Sequence, residues 1–216
     1  MSNESDPNYN RLWGFCEFTF NSIELFVNIS YVDFVSLPIR LNLLNTSGVS
    51  QSVMGIPANG LQTVSSALIA QGAKDGKGWE KLVVRAKDGS ILRALSPNTG
   101  IVLNSELLKG YYDNYVNQVW NKYTGTGLRI NTQAQWGTVE GRVTNGILGF
   151  GAIGGFGKPS ARDVFSCSTG PFAVGGNAAL GNIAARVSAG FNRRLVLSEI
   201  NQVLELDADE LQYAFG

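Results

Sequence analysis

Residues 15–34 read FCEFTFNSIELFVNISYVDF, and the alternation inside them decides how the chain folds. In 16–21 the apolar Cys16, Phe18 and Phe20 alternate with Glu17, Thr19 and Asn21. In 25–30 Leu25, Val27 and Ile29 alternate with Phe26, Asn28 and Ser30. A period of two places one set on each face of a strand. The two runs form a hairpin only if their apolar faces coincide. A four-residue loop at 22–25 satisfies that condition and sets Glu17 against Ser30, Thr19 against Asn28 and Asn21 against Phe26. One face is then core, and the other is a polar ledge with a carboxylate, a hydroxyl and amides.

Past Ser30 the alternation slips, putting Val32 on the polar side and Asp33 on the core side. A bulge between Ser30 and Val32 returns Asp33 to the ledge, and bulges favour the rims of active sites. Asp33 then lies about two residues along and one strand across from Glu17, roughly 8 Å away between Cα atoms. Carboxylates are depleted in strands, so two on one ledge ask for a reason. Paired acids at that spacing suit an inverting glycosidase, since retaining enzymes need about 5 Å. A solvated polar strand face is the other reading of the same pattern.

Composition narrows the chemistry. The 216 residues are 44% apolar, 16% charged and 10% aromatic, which describes a globular protein. Lys+Arg and Asp+Glu are both 17, so neither nucleic acid nor an anionic membrane is an expected partner. No run is apolar for long enough to span a bilayer. The N-terminal MSNESDPNYN lacks the basic and apolar regions of a signal peptide. Either export by that route is not used, or the natural N-terminus lies upstream. Histidine is absent, which removes the usual catalytic triads and the commonest transition-metal ligand. Cys16 and Cys167 cannot build a structural zinc site, so no metal or cofactor is expected. Their contexts suggest separate parts of the fold and free, buried thiols.

Further elements follow from local signals. Residues 12–44 read as consecutive strands, closed by Pro38 and a turn near 45–48. Residues 61–70 read as a helix ending at Gly72, 73–78 as a loop, 79–85 as a strand, and Asp88-Gly89 as a hairpin turn before a strand at 91–95. A helix over 105–123 starts at Ser105 and carries the stripe Leu108, Tyr112, Tyr115, Val119 and Tyr123. Strands are expected at about 127–132, 138–144 and 146–150, a β-like run at 163–166, a helix at 177–191 and weak strand at 195–215. GFGAIG at 149–154 matches a dinucleotide-binding glycine pattern, but Pro159 opposes the helix that pattern requires, so it reads as a sheet corner. Trp13, Trp79, Trp120 and Trp136 are candidates to stack on sugars, although Trp120 sits with the helix stripe and reads as core. Sequons stand at Asn3, Asn28 and Asn45, with Asn28 expected unmodified inside its strand. The content is α+β, beginning all-β.

FCEFTFN followed by NISYVDFVSLPI resembles the signature of glycoside hydrolase family 64, the β-1,3-glucanases related to thaumatin-like proteins. DVFSCSTGPF at 163–172 and AALGNIAARVSAGFNRR at 178–194 are similar to fungal members. The resemblance implies that Glu17 is the general acid and Asp33 the general base. It implies that Thr19, Asn21, Phe26 and Ser30 line a glucan groove, the same face that the alternation gives. It also implies part of a thaumatin-like β-barrel over 1–55, a mixed α/β domain over 56–197 with a cleft between the two, and a shortened return segment at 198–216. The family carries more barrel before the E-F-T motif and more chain after residue 216, so an incomplete barrel with exposed strand edges is expected. The expected activity is that of an extracellular, monomeric, inverting endo-β-1,3-glucanase acting on β-1,3-glucan without a cofactor. A non-catalytic glucan-binding protein, or an inactive shortened homologue, is the alternative.

Overall fold

A computed structural model describes residues 5–193. The chain forms two compact units, divided after Leu107.

The first unit opens with strands β1 (Cys16–Phe20) and β2 (Leu25–Ile29), an antiparallel hairpin. After β3 (Phe34–Val35) come β4 (Leu41–Leu44) and β5 (Ser50–Val53), a second two-stranded hairpin. The turn at 45–49 therefore joins two strands instead of closing the block. Asn45 Oδ1 holds it by accepting from the Ser47 and Val49 amides. Helix α1 (Gly60–Asp75) runs past Gly72, where the sequence places its end, and stops at Gly76 in the left-handed region. Gly72 lies inside the helix because the following turn packs there, and a Cβ would collide with Glu80.

The segment expected as one strand at 79–85 divides into a 3₁₀ turn (Trp79–Leu82) and β6 (Val83–Arg85). β6 pairs with β7 (Ile91–Leu95) around the Asp88-Gly89 turn, and β7 pairs on its other side with β3. β7 is thus the centre of a three-stranded sheet, and α1 packs against it. Leu92, Ala94 and Leu95 of β7 are buried with Phe34, Leu82 and Ile101. Ile101 belongs to α2 (Pro97–Leu103), which opens on Ser96, whose side chain accepts from the Thr99 amide, and has proline at its first position.

The second unit begins at Leu108, inside the segment expected as a helix over 105–123. Leu108 and Gly110 take positive φ, so residues 104–112 are turns and helix α3 spans Asp113–Gly125. Its Val116, Val119, Trp120 and Tyr123 are buried, as is Tyr112 at its N-cap. α3 lies on a sheet of order β11-β10-β9-β8, formed by β8 (Leu128–Asn131), β9 (Thr138–Thr144), β10 (Ile147–Gly149) and β11 (Gly155–Phe156). β9 and β10 meet at Asn145-Gly146, both at positive φ, the requirement of a tight two-residue hairpin. Trp120 Nε1 donates to the Gly146 carbonyl at 2.9 Å, so Trp120 is core, as its place on the stripe indicates. The glycine run at 149–154 is a sheet corner with a 3₁₀ turn between β10 and β11.

Residues 161–166, expected to be β-like from 163, are helix α4 (Ala161–Ser166). Ser160 and Asp163 cap each other's backbone amides and select the helix. Helix α5 (Ala178–Asn192) starts at Asn177, whose side chain accepts from the Leu180 amide, and buries Ile183, Ala184, Val187 and Phe191. The buried Arg186 donates through Nε to the Asn131 carbonyl at 2.9 Å and so ties α5 to the end of β8. The strand expected at 195–215 lies outside the described residues.

The architecture is mixed α/β, and no sheet among the described residues closes into a barrel. The apolar faces of both small hairpins are open. Phe18 is 70% exposed, Phe20 76%, Leu43 40% and Val53 55%. Both cysteines are free. Cys16 is exposed, not buried as its core-face position suggested, because nothing among the described residues covers that face. No described helix is long and apolar enough to cross a membrane.

Candidate active site

The β1–β2 hairpin keeps the faces that the alternation gives but not the register. Glu17 pairs with Asn28, Thr19 with Phe26, and Phe18 with Val27. The loop is two residues shorter than expected because Asn21 closes the turn itself. Its amide donates to the Glu24 carbonyl at 3.1 Å. Its Oδ1 accepts from the Ile23 and Glu24 amides at 2.8 and 3.0 Å. An asparagine at the first position of a turn makes this arrangement readily. Asn21 is therefore occupied in the turn and does not face Phe26. The register moves by two positions, and a shift of two leaves every side chain on its own face.

The polar ledge carries Glu17 and Thr19 on β1, both exposed, and Phe26 and Asn28 on β2. Half of Phe26 is exposed, leaving an aromatic surface beside Thr19. Asn28 is half-buried, and its Oδ1 is shut off from solvent with no hydrogen-bond partner among the described residues. Sequence reasoning did not single out Asn28, since the longer loop set it against Thr19. The turn preference of Asn21 was the signal that gives the observed pairing.

Beyond Ile29 the expected bulge is a strand end. The ladder stops, Ser30 is buried, and residues 30–33 cross to a different sheet. Asp33 is half-buried at the foot of β3, and its carbonyl accepts from the Ser96 amide at 2.8 Å. The slip in the alternation marks this crossing. β3 begins with Phe34 buried against the ring of Trp13, 4.7 Å between centroids, and that packing sets Phe34 inward. Glu17 and Asp33 thus belong to two supports: a free hairpin, and the entrance to the β3-β7-β6 sheet. The strands that carry them are not neighbours in one ladder.

Arg93 of β7 explains how the segment before β1 is held. It is fully buried and donates to the carbonyls of Tyr9 and Arg11 at 2.5 and 3.0 Å, with the Tyr9 and Trp13 rings 5.7 and 5.8 Å from its guanidinium. Burial lowers its pKa, against the opposing pull of Tyr9 and Asp6. A surface cavity of about 460 Å³ is lined by Asp6, Asn8, Tyr9, Arg11, Trp13 and Arg93 and includes neither Glu17 nor Asp33. Trp13 is packed beneath that cavity, and Trp79 donates to Asp75, so both indoles have structural work. Asp163 serves as a helix cap.

The family model for glycoside hydrolase family 64, described as β-1,3-glucanase, matches residues 1–210. A glucan endo-1,3-β-glucosidase of Cellulosimicrobium cellulans and another of Arthrobacter sp. (strain YCWD3) are each 32% identical over 210 residues, covering 94% of this chain. The chain spans 37% of the length of those curated relatives. A solved structure, a laminaripentaose-producing β-1,3-glucanase in complex with laminaritetraose, superimposes with a TM-score of 0.78 at 34% identity. It covers 91% of this chain and 54% of the other.

Proposed function

The chain belongs to glycoside hydrolase family 64, and on that premise we propose that it hydrolyses linear β-1,3-glucan internally with inversion. Glu17 is the general acid and Asp33 the general base. The observation that carries the reading is the ledge on β1–β2, where an exposed acid, a hydroxyl and a half-exposed aromatic ring share one face. The similar structure with a bound laminari-oligosaccharide supports the substrate class.

Glu17 gives its proton to the glycosidic oxygen as the bond to the anomeric carbon breaks. Asp33 takes a proton from a water that attacks that carbon from the opposite side of the ring. The two carboxyl groups then need to stand about 6.5–9.5 Å apart in the working enzyme. Thr19 offers a hydroxyl to the sugar and Phe26 a face for its apolar side. Asn21 acts on the groove by fixing the turn, and Ser30 is buried where the β1–β2 ladder ends, before Asp33. The open apolar faces of both hairpins support the thaumatin-like barrel reading, in which further strands cover them. By the same resemblance the protein works outside the cell as a monomer.

Reducing-sugar release from a soluble linear β-1,3-glucan tests the assignment. Glu17→Gln and Asp33→Asn each lower kcat/KM by at least about 10²-fold. Full activity in either removes that residue from the mechanism. Proton NMR of the first product shows the α-anomer for inversion, and an initial β-anomer overturns that part. Two-stranded, uncovered hairpins favour one second reading, a glucan-binding protein without turnover. Binding of the glucan with no product from the unaltered chain selects it.

A further inference from the structure

We propose that Asn28 is a positioning residue for Glu17, its Oδ1 accepting the carboxyl proton and keeping it on the acid until substrate arrives. The proposal rests on the reading of Glu17 as general acid. Glu17 and Asn28 are directly opposite each other in the β1–β2 ladder, so their side chains leave the same face. Directly opposed Cβ atoms stand about 4.5–5.5 Å apart, within reach of a glutamate carboxyl and an asparagine amide. Asn28 Oδ1 is buried without a partner among the described residues. Buried polar atoms are almost always paired, so each exception asks for an explanation.

An amide oxygen only accepts. A carboxylate has no hydrogen to give it, whereas a carboxylic acid has one. The contact therefore exists only while Glu17 is protonated, and the Oδ1 lone pairs repel the ionised form. Both effects favour the form that the acid must hold before it acts. When glucan fills the groove, the O–H turns from Oδ1 to the glycosidic oxygen, and the proton passes to the leaving group.

No other ionisable group competes for this role across the ladder. β2 has none. On β1, Cys16 is on the opposite face from Glu17. Glu24 stands in the turn, and Asp33 follows the hairpin as the partner acid.

The pH profile of kcat/KM reads the free enzyme and so tests the assignment. Asn28→Ala moves the alkaline limb to lower pH by about one unit. Asn28→Asp, close to isosteric, places a like charge opposite Glu17 and moves the limb to higher pH. Circular dichroism and Tm are measured on each variant. If Asn28→Ala does not fold, Asn28→Leu, similar in volume and without an acceptor, takes its place. A limb at lower pH then supports the proposal and an unmoved limb overturns it, while Asn28→Asp only shows that position 28 is near enough to act on Glu17. Limbs that stay in place with activity merely reduced show a structural role and overturn the proposal. An upward shift in Asn28→Ala overturns it too, since the amide would then be donating to the carboxylate. Glu17→Gln separates the two claims. If it is inactive beside unmoved limbs, the Asn28 assignment falls alone. If it keeps full kcat/KM, the reading of Glu17 falls and takes this proposal with it.

Discussion

At the scale of single residues the two thiols make a direct comparison. Cys167 is half-buried at the end of α4, donates through Sγ to the Val164 carbonyl and lies beside Asn192. Burial pushes its pKa up, against hydrogen bonds from Ser188 and Asn192 that lower it. The thiolate is the nucleophile that attacks a thiol reagent and displaces its leaving group, so Cys167 is expected to react slowly at neutral pH. Cys16 is exposed. Labelling of the native protein with a chromogenic disulfide gives one fast thiol, and Cys16→Ser removes the fast phase. A fast phase that survives in Cys16→Ser contradicts the burial of Cys167. The separation of the two cysteines was legible from their contexts. The exposure of Cys16 was not, because alternation shows which face a residue takes and cannot show whether anything covers that face.

At the scale of elements, Asp163 of α4 ties together the residue before the helix and the loop after it. One carboxyl oxygen accepts from the Ser160 amide and hydroxyl at 2.9 and 2.8 Å, and the other accepts from the Thr169 hydroxyl at 2.8 Å. Asp163→Ala removes the carboxylate half of the capping box and takes from the Thr169 hydroxyl one of its two partners, leaving it the Ser166 hydroxyl, a destabilisation of about 1 kcal/mol. Denaturant unfolding measures it, and a change below about 0.5 kcal/mol removes Asp163 from the stability of α4. The Ser160/Asp163 pair was present in the sequence, yet the β-branched and aromatic Val164 and Phe165 outweighed it there. Other misses share that form. Ser96-Pro97 marks the start of α2, but seven residues give too little periodicity to confirm it. Leu108 at positive φ cuts the helix expected from 105, a conformation that no leucine advertises. Helix α5 was legible because its asparagine cap and 3.6-residue stripe agree.

A second test at this scale uses the junction of α1 with the 3₁₀ turn. Desolvation acts to raise the Asp75 pKa, but hydrogen bonds from Gln71, the Lys77 amide and Trp79, with the charge of Lys77, together bring it below the ordinary carboxylate value. A lowered folded-state pKa contributes stability that is present above the unfolded value and lost as pH falls through the lowered one. The advantage of the native protein over Asp75→Asn in Tm is therefore constant at neutral pH and shrinks below about pH 4. A gap that widens on acidification has the opposite sign and rules out this account.

At the scale of the whole molecule, stability is unevenly distributed, and the β1–β2 ledge belongs to its weaker part. In the second unit one cluster joins α3, the four-stranded sheet, α4 and α5, with Tyr123, Ile130, Phe156, Ile183 and Phe191 almost wholly buried. Each such side chain contributes about 1.5–3 kcal/mol of apolar burial. The β1–β2 and β4–β5 hairpins have two strands each and expose their apolar faces. A two-stranded hairpin is marginal in water without a covering element. Local opening is therefore expected in both hairpins at free energies far below that of the second unit's core. Amide hydrogen exchange by mass spectrometry reads this directly. Peptides covering 16–29 and 41–53 exchange at least about 10²-fold faster than peptides covering 115–123 and 183–191. Equal protection in the two sets contradicts the ranking and shows that the hairpins are covered in solution. If slow exchange appears in 16–29 only when a β-1,3-glucan oligosaccharide is added, the ligand supplies the order that the isolated ledge lacks.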